Sequence, residues 1–272
     1  MDTLFDVPLT REMLEAMRPI TATQPVDATV NTHGNGDHCF GNAALPAQTT
    51  IYATARAVAD MREEPPALLR TLLATDLGPE LGEFAARIFG PFQFEGLEAR
   101  LPSQTFDGRL ELDVGGRVLE LIEVGPAHTG GDTIVHVPDA ATVFTGDILF
   151  SGGTPIVWAG PVSNWIAACE AIVGLGARTL VPGHGPVTDG DGVREVRRYL
   201  ESVRDQARQL YHAGIDARDA ADEIDLQEFV GWTCPERIVQ NVEELYCEFD
   251  PNRTPAPAIE VFQGMARWSK RH

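Results

Sequence analysis

The sequence predicts an α/β fold, because segments with helical periodicity alternate with short apolar runs that are typical of buried strands. Most of these runs end at glycine or proline, residues that often mark the start of a loop. The 272 residues are 43% hydrophobic, which is enough to bury a large core. We therefore expect one main domain with appended segments.

The first hundred residues combine short strands with several helices. Thr10 is expected to cap the first helix, because threonine is a common N-cap residue. Residues 65–89 have helical patterning with proline punctuation, so we interpret about 60–100 as a helical insertion. The predicted elements are a helix over 10–17, strands over 27–31 and 51–53, a helix over 55–61, and helices within 65–89.

Strands dominate the sequence from Gln104 to Phe150. Turns such as Gly115-Gly116 separate apolar runs, as expected for antiparallel hairpins that form one face of a two-sheet sandwich. Ser163 is expected to cap the helix that follows. The predicted elements are strands over 109–113, 118–124, 133–137 and 142–144, a helix over 163–175, and a strand over 179–181.

Helices take over after Val187. They are predicted over 193–212, 217–223, 235–248 and 259–268, with a proline-rich break before the last one. Ile259, Phe262, Met265 and Ala266 recur at helical spacing and give the last helix an apolar face that must be buried. Two alternatives are docking on a neighbouring subunit, which would make a homodimer, and docking across the mouth of a pocket.

Three ionisable residues lie within six positions of a glycine-rich loop, Thr32-His33-Gly34-Asn35-Gly36-Asp37-His38. Such a cluster buries little apolar surface, so a metal site explains it better than packing does. Three further candidates follow downstream near the ends of apolar runs: His128, Asp147 and His184. Because loops at strand ends can hold side chains in convergent positions, we expect these residues to bind metal together.

These four motifs, in this order, resemble those of the metallo-β-lactamase-fold hydrolases, which include glyoxalase II-like thioesterases, lactonases and β-lactamases. The resemblance runs from about Asp2 to about Pro186. It implies an αββα sandwich with a catalytic domain over 1–187 and a helical C-terminal extension over 188–272. Asp2-Thr3 resembles the end of a later strand of that fold, so the sandwich is expected to be N-terminally shortened, or the start codon to be placed downstream of the true one.

The same resemblance implies two adjoining metal sites. The first set is His33, Asn35 and His128, and the second is Asp37, His38 and His184, with Asp147 bridging them. Asn35 stands where the family has a histidine, and its amide oxygen is a weaker ligand. We therefore expect one tightly bound Zn²⁺ in the second site or an unequal pair, with more tolerance of Mn²⁺ or Fe²⁺. The alternative for Asn35 is an Asx turn that binds local backbone.

The chemistry implied is hydrolysis, in which a metal-bound hydroxide attacks a thioester, ester or lactone carbonyl. Asp37 is the expected catalytic residue, because it could orient the water or move a proton to the leaving group. Thr129 and Asp132 are expected to hold His128 or its loop. The alternatives are a mononuclear iron oxidoreductase like the persulfide dioxygenases of this fold, and a degenerate member that binds metal without catalysis.

The composition limits which binding partners and which cellular compartment we expect for this protein. A net charge of -19 repels nucleic acid and anionic membranes, which leaves a small-molecule substrate as the expected partner. No apolar run approaches the roughly 20 residues that cross a bilayer, and the first residues lack the basic start of a signal peptide. Four cysteines show no C-x-x-C spacing. We expect a cytoplasmic protein, which makes a secreted β-lactamase the weaker reading.

Overall fold

The computed structural model describes residues 1–272 and has mixed helices and strands, as the α/β prediction requires. The chain divides into two compact units, which we call unit 1 (Met1–Gly108) and unit 2 (Arg109–His272). None of the helices combines the length and the apolar character that crossing a membrane would need. The predicted boundary between a domain over 1–187 and an extension over 188–272 stays a prediction.

Unit 1 contains a small parallel sheet and five α-helices. Its strands are in the order β1-β2-β3, and each neighbouring pair is parallel. The elements are α1 (Val7–Thr21), β1 (Ala28–Val30), α2 (Gly36–Cys39), a 3-10 helix (Phe40–Ala44), β2 (Thr50–Thr54), α3 (Ala55–Glu63), α4 (Pro66–Ala74), α5 (Gly78–Phe89) and β3 (Gln104–Phe106).

The first helix begins one turn earlier than the sequence predicts. Asp6 is its N-cap and accepts a hydrogen bond from Leu9 N at 2.8 Å. The predicted cap at Thr10 is wrong, because this residue lies inside the helix, where its hydroxyl donates to Asp6 O at 2.8 Å. Thr10 is buried and also accepts from Leu4 N, so it ties the helix to the preceding segment.

The helices predicted within 65–89 are present as α4 and α5, while their interpretation as an insertion over about 60–100 stays a prediction. A group of phenylalanines packs inside unit 1 around Phe5, whose ring centroid lies 4.8 to 6.2 Å from those of four others: Phe40, Phe89, Phe92 and Phe94. Aromatic pairs at these separations stabilise a core beyond the area that they bury. The apolar residues of α5 and of the segment after it are therefore packing residues of unit 1.

Unit 2 is built on a five-stranded sheet in the order β4-β5-β6-β7-β8, antiparallel except for the parallel pair β7 and β8. Gly115 and Gly116, both with positive φ, make the tight turn between β4 and β5, as predicted. The elements are β4 (Arg109–Val114), β5 (Arg117–Glu123), β6 (Thr133–Val137), β7 (Thr142–Phe150), α6 (Val162–Gly174), β8 (Thr179–His184), α7 (Gly190–His212), α8 (Ala217–Glu223), α9 (Ile238–Phe249) and α10 (Ala258–Arg271).

Two local predictions in unit 2 are wrong. Strand β7 continues to Phe150 instead of ending at Phe144, so Asp147 lies within a strand. Register shifts on both sides of Gly146 allow this, because an irregular strand can redirect a side chain without ending. Helix α6 begins at Val162 with Pro161 at the N-cap position and no side-chain cap, so Ser163 lies inside the first helical turn.

The last helix, α10, buries its apolar face inside unit 2. Val261, Met265 and Trp268 are buried, whereas Ile259 is 40% exposed. Helix α10 packs against α9, and the Trp268 indole donates to Ala221 O on α8 at 3.4 Å. This packing within the chain accounts for the face without either docking alternative, and the homodimer stays a prediction.

Candidate metal centre

Unit 1 supplies the glycine-rich loop, which follows β1 and runs into α2, so that Asp37 and His38 lie within that short helix. The imidazoles of His33 and His38 are both buried, and their ring centroids lie 4.3 Å apart. Asp37 is partly exposed, and its Oδ2 lies 3.5 Å from His38 Nε2. The loop therefore places one carboxylate and two imidazoles in a small volume, as the sequence predicts for three of the expected ligands.

Asp2 holds both of these imidazoles. Its carboxylate accepts hydrogen bonds from Thr32 N at 2.7 Å and Thr32 Oγ1 at 2.8 Å, and lies 3.1 Å from His38 Nδ1. Because the Thr32 hydroxyl donates to Asp2, its oxygen accepts from His33 Nδ1 at 2.9 Å. Both rings thus carry their proton on Nδ1 and turn Nε2 toward a ligand position.

The ionised form of Asp2 is the stable one in this setting. Burial alone would raise its pKa, but hydrogen bonding and charge from His38, with smaller effects of His33 and Thr32, lower the pKa below its usual range. Asp2 was not among the predicted site residues. Its resemblance to a strand-end aspartate of the family was the signal that could have identified it.

Asn35 occupies the N-cap position of α2. Its side chain makes no capping hydrogen bond, although its backbone carbonyl accepts from His38 N at 3.0 Å. The Asx-turn alternative would need a hydrogen bond from the Asn35 side chain to the first turn of α2, and that bond is not formed. Whether the amide binds a metal stays a prediction.

Unit 2 supplies three more of the predicted ligands. Asp147 projects from β7, His184 ends β8, and His128 lies in the loop between β5 and β6. Asp147 Oδ2 lies 3.4 Å from His128 Nε2 and 3.2 Å from His184 Nε2. Gly183 permits this approach, because a Cβ there would overlap Asp147 Oδ1.

The donor atoms in unit 2 fit a divalent cation. His128 Nδ1 donates to Ile156 O at 2.7 Å, so in the neutral ring Nε2 carries the lone pair. That lone pair faces an Asp147 oxygen which also lies close to the second imidazole. The lone pair of His128 Nε2 and the anionic Asp147 oxygen repel unless a positive charge lies near them, and carboxylate oxygen and imidazole nitrogen are ligand types that Zn²⁺ prefers.

Several groups keep His128 in place. Asp132 accepts from Ala127 N, Thr129 N and Thr129 Oγ1 at 2.7 to 3.1 Å, which confirms the expectation that Thr129 and Asp132 hold the loop. Burial raises the pKa of Asp132 to about 7, although these hydrogen bonds act to lower it. The ring of His128 packs edge-on against Trp165, whose centroid lies 5.6 Å away.

His184 has a different kind of support. Its ring stacks on that of Phe150, with centroids 5.0 Å apart and an interplanar angle of 13°. The Arg237 guanidinium lies 5.2 Å from the centroid of the same phenyl ring. This stacking limits the rotation of the imidazole while leaving its nitrogens available.

Comparison with known proteins identifies the class. Residues 2–184 match the model of the Metallo-beta-lactamase superfamily, which is more than half of the chain, and the protein belongs to that superfamily. The fold agrees, because the structure of a metallo-beta-lactamase from Pontibacter korlensis superposes with a TM-score of 0.54 at 19% identity, covering 74% of this chain and 80% of that one. The predicted α/β fold of the metallo-β-lactamase type is confirmed.

Curated relatives match part of the chain at 25% to 33% identity. The 2,4-dinitroanisole O-demethylase subunit alpha of Nocardioides sp. (strain JS1661) is 25% identical over 191 residues, 67% of this chain and 48% of that protein. The hydroxyacylglutathione hydrolase of Brucella ovis is 33% identical over 105 residues, 38% of this chain and 39% of that protein. The matches thus span about half the length of these relatives or less.

Proposed function

We propose that this protein is a metal-dependent hydrolase of a thioester, ester or lactone. The proposed ligands are His33, Asn35, Asp37, His38, His128, Asp147 and His184. The observation that carries the proposal is the position of Asp147 Oδ2, which lies 3.2 and 3.4 Å from two histidine nitrogens. The family match over residues 2–184 includes all seven residues and supports the proposal that they bind one or two ions.

A divalent cation bound there would lower the pKa of a water molecule from about 16 toward about 7 and polarise a substrate carbonyl. The chain's own residues would prepare the site for this. Asp2 and Thr32 orient the imidazoles of the glycine-rich loop, and the anionic Asp147 offsets the charge of the cation. Asp37, partly exposed beside His38, would take a proton from water and deliver it to the leaving group.

The substrate class rests on the relatives and on the chemistry of the donors. Similarity to a hydroxyacylglutathione hydrolase supports a thioester, and similarity to an O-demethylase adds an aryl methyl ether to the compounds worth testing. The site offers no observation that favours an iron oxidoreductase over a hydrolase. Metal analysis of the purified protein, combined with an oxygen-consumption assay, separates the two.

The direct test is Asp37→Asn. Protein loaded with Zn²⁺, Mn²⁺ or Fe²⁺ would be assayed against thioesters, esters, lactones and an aryl methyl ether. We expect the variant to bind metal more weakly, because Asp37 is a proposed ligand, and at saturating metal to lose at least about 100-fold in kcat, because a positioned acid–base group contributes roughly that much. The matched control is Asp107→Asn, which changes an exposed carboxylate of unit 1 and should keep full activity. Full activity of Asp37→Asn, or no turnover of any compound by the wild type, would overturn the proposal.

A further inference from the structure

A short loop after β7 holds His128 from two sides. The carbonyl of Ile156 accepts the hydrogen bond from His128 Nδ1 at 2.7 Å, and Trp158 N donates to the carbonyl of His128 at 2.9 Å. The position of the imidazole therefore depends on the backbone of residues 154–158. This loop has no regular secondary structure that would fix its carbonyl groups.

Side chains of helix α9 form hydrogen bonds that fix the backbone of this loop. Asn241 Oδ1 accepts from Val157 N at 2.9 Å, and Asn241 Nδ2 donates to Pro155 O at 2.9 Å. The side chain thus binds the backbone on both sides of Ile156. Its second amide proton goes to the hydroxyl of Tyr199 at 3.0 Å, so the buried amide has a partner for its oxygen and for both donors.

Two neighbours of Asn241 strengthen the same attachment. Gln240 Nε2 donates to Val157 O at 2.8 Å, and Arg237 Nη1 donates to Thr154 O at 2.8 Å. Gln240 is buried as well, so its hydrogen bond is protected from competing water. The backbone of the loop is consequently bound at three residues, at 154 by Arg237 just before α9 and at 155 and 157 by α9 itself.

We propose that Asn241 is a positioning residue for His128. By fixing the Ile156 carbonyl, it keeps the proton of the neutral imidazole on Nδ1 and the lone pair on Nε2, which faces Asp147. The inference rests on the proposed function, in which His128 binds metal. Partners that orient a ligand histidine typically contribute about 10- to 100-fold in metal affinity, and Asn241 acts on such a partner.

The test is Asn241→Asp with a matched control on the same helix. Aspartate keeps the shape and the acceptor for Val157 N but replaces the donor to Pro155 O with a second oxygen. The control is Tyr246→Phe, which removes a hydrogen bond from α9 to Ile215 O and leaves residues 154–158 untouched. In a chelator competition we expect Asn241→Asp to bind Zn²⁺ about 10- to 100-fold more weakly and Tyr246→Phe to match the wild type.

A second readout is independent of metal. In zinc-free protein labelled with ¹⁵N-histidine, the proton on His128 Nδ1 should be visible in the wild type and in Tyr246→Phe, and lost or moved to Nε2 in Asn241→Asp. If Asn241→Asp fails to fold, Gln240→Met removes one bond to the loop with little change in volume, and we expect a smaller loss of affinity in the same direction.

The outcomes separate the two proposals. Wild-type zinc affinity together with an unchanged Nδ1 proton in folded Asn241→Asp would overturn the role of Asn241, as would unchanged affinity in Gln240→Met if only that variant folds. Absence of zinc binding in the wild type and in Tyr246→Phe would instead contradict the proposed function. In that case the imidazole signal still decides whether Asn241 positions His128.

Discussion

Asp2 shows how much of this site depends on one residue outside the ligand set. A single carboxylate accepts from Thr32 and lies beside His38 Nδ1, and through the Thr32 hydroxyl it also sets the proton position of His33. The orientations of two proposed ligands, His33 and His38, therefore both depend on Asp2. A substitution of Asp2 should disturb both imidazoles without removing either.

Asp2→Asn tests this dependence. Asparagine has one acceptor oxygen and its amide nitrogen cannot accept, so the bond from Thr32 N to Oδ1 and the bonds from Thr32 Oγ1 and His38 Nδ1 to Oδ2 cannot all be kept. We expect Zn²⁺ affinity to fall by about 10- to 100-fold, measured by chelator competition. The exposed Asp27 provides a control, since Asp27→Asn should leave affinity unchanged. Equal affinities for the two variants would show that Asp2 does not orient the histidines.

Glu244 carries a second prediction at this scale, on stability. Burial, together with the charges of Glu248 and Glu243, raises the pKa of this carboxyl from 4.5 to about 7. The folded state therefore favours the neutral acid. The contribution of this carboxyl to the free energy of unfolding is fully present below pH 4.5 and is lost as the pH rises through about 7.

Glu244→Gln should accordingly match the wild type at pH 4.5 and exceed it at pH 8. Because the carboxyl is partly exposed, solvent screening limits the gain to about 1 kcal/mol in the free energy of unfolding. Urea unfolding at both pH values measures it, with the exposed Glu12→Gln as control. The same difference from wild type at both pH values would contradict the raised pKa.

At the scale of elements, the sequence predicts most helices and strands because their periodicity is local. Helix α8 is found over the predicted residues, and α4, α5 and β6 agree closely. The errors have tertiary causes. Asp6 and Thr10 are both plausible caps, and the choice is made by packing around Leu4; the extension of β7 past Gly146 follows from pairing with β8.

The support of His128 by α9 could not be predicted for a similar reason. Asn241 lies 84 residues from Val157 in the chain, and in the sequence it is one more polar residue in an amphipathic helix. The ligand motifs, in contrast, are dense and ordered, so their resemblance to a family was visible. The sequence does not reveal which groups hydrogen-bond to each ligand and orient it, because those groups lie far away along the chain.

Packing between α1 and the 3-10 helix after α2 gives a test at this scale. A Cβ on Gly41 would overlap Thr10 Oγ1 and lie 2.9 Å from Leu4 O. Gly41→Ala should therefore lower the free energy of unfolding by about 1 to 3 kcal/mol in urea titration. In α5, a Cβ on Gly82 meets nothing within 4 Å, so Gly82→Ala should raise stability by about 0.5 to 1 kcal/mol. A neutral or stabilising Gly41→Ala would contradict the close packing.

For the whole molecule, metal binding and folding should be linked. The chain carries a net charge of -19, and the carboxylate of Asp147 is buried, so a bound cation offsets repulsion that the folded state otherwise contains. A ligand that binds only the folded state at about 1,000 times its Kd adds roughly 4 kcal/mol of stability.

Chelation should therefore lower the thermal midpoint of the metal-loaded protein by several degrees in a differential scanning experiment. His184→Ala, which removes a proposed ligand, should make the midpoint insensitive to chelator. His136→Ala changes a histidine that instead contacts Glu120 at 2.8 Å, and it should keep the response. An identical midpoint with and without chelator in the wild type would show that no metal contributes to the fold.

The hydrogen bonds from Arg237 and α9 to the loop before α6 have a consequence for how this protein could diversify. Those from Arg237, Gln240 and Asn241 all reach backbone atoms, at residues 154, 155 and 157. Backbone atoms are the same whatever side chain is present. The side chains of residues 154–157 are buried, so substitutions there that keep their volume, other than proline at 157, should leave the imidazole of His128 in its orientation.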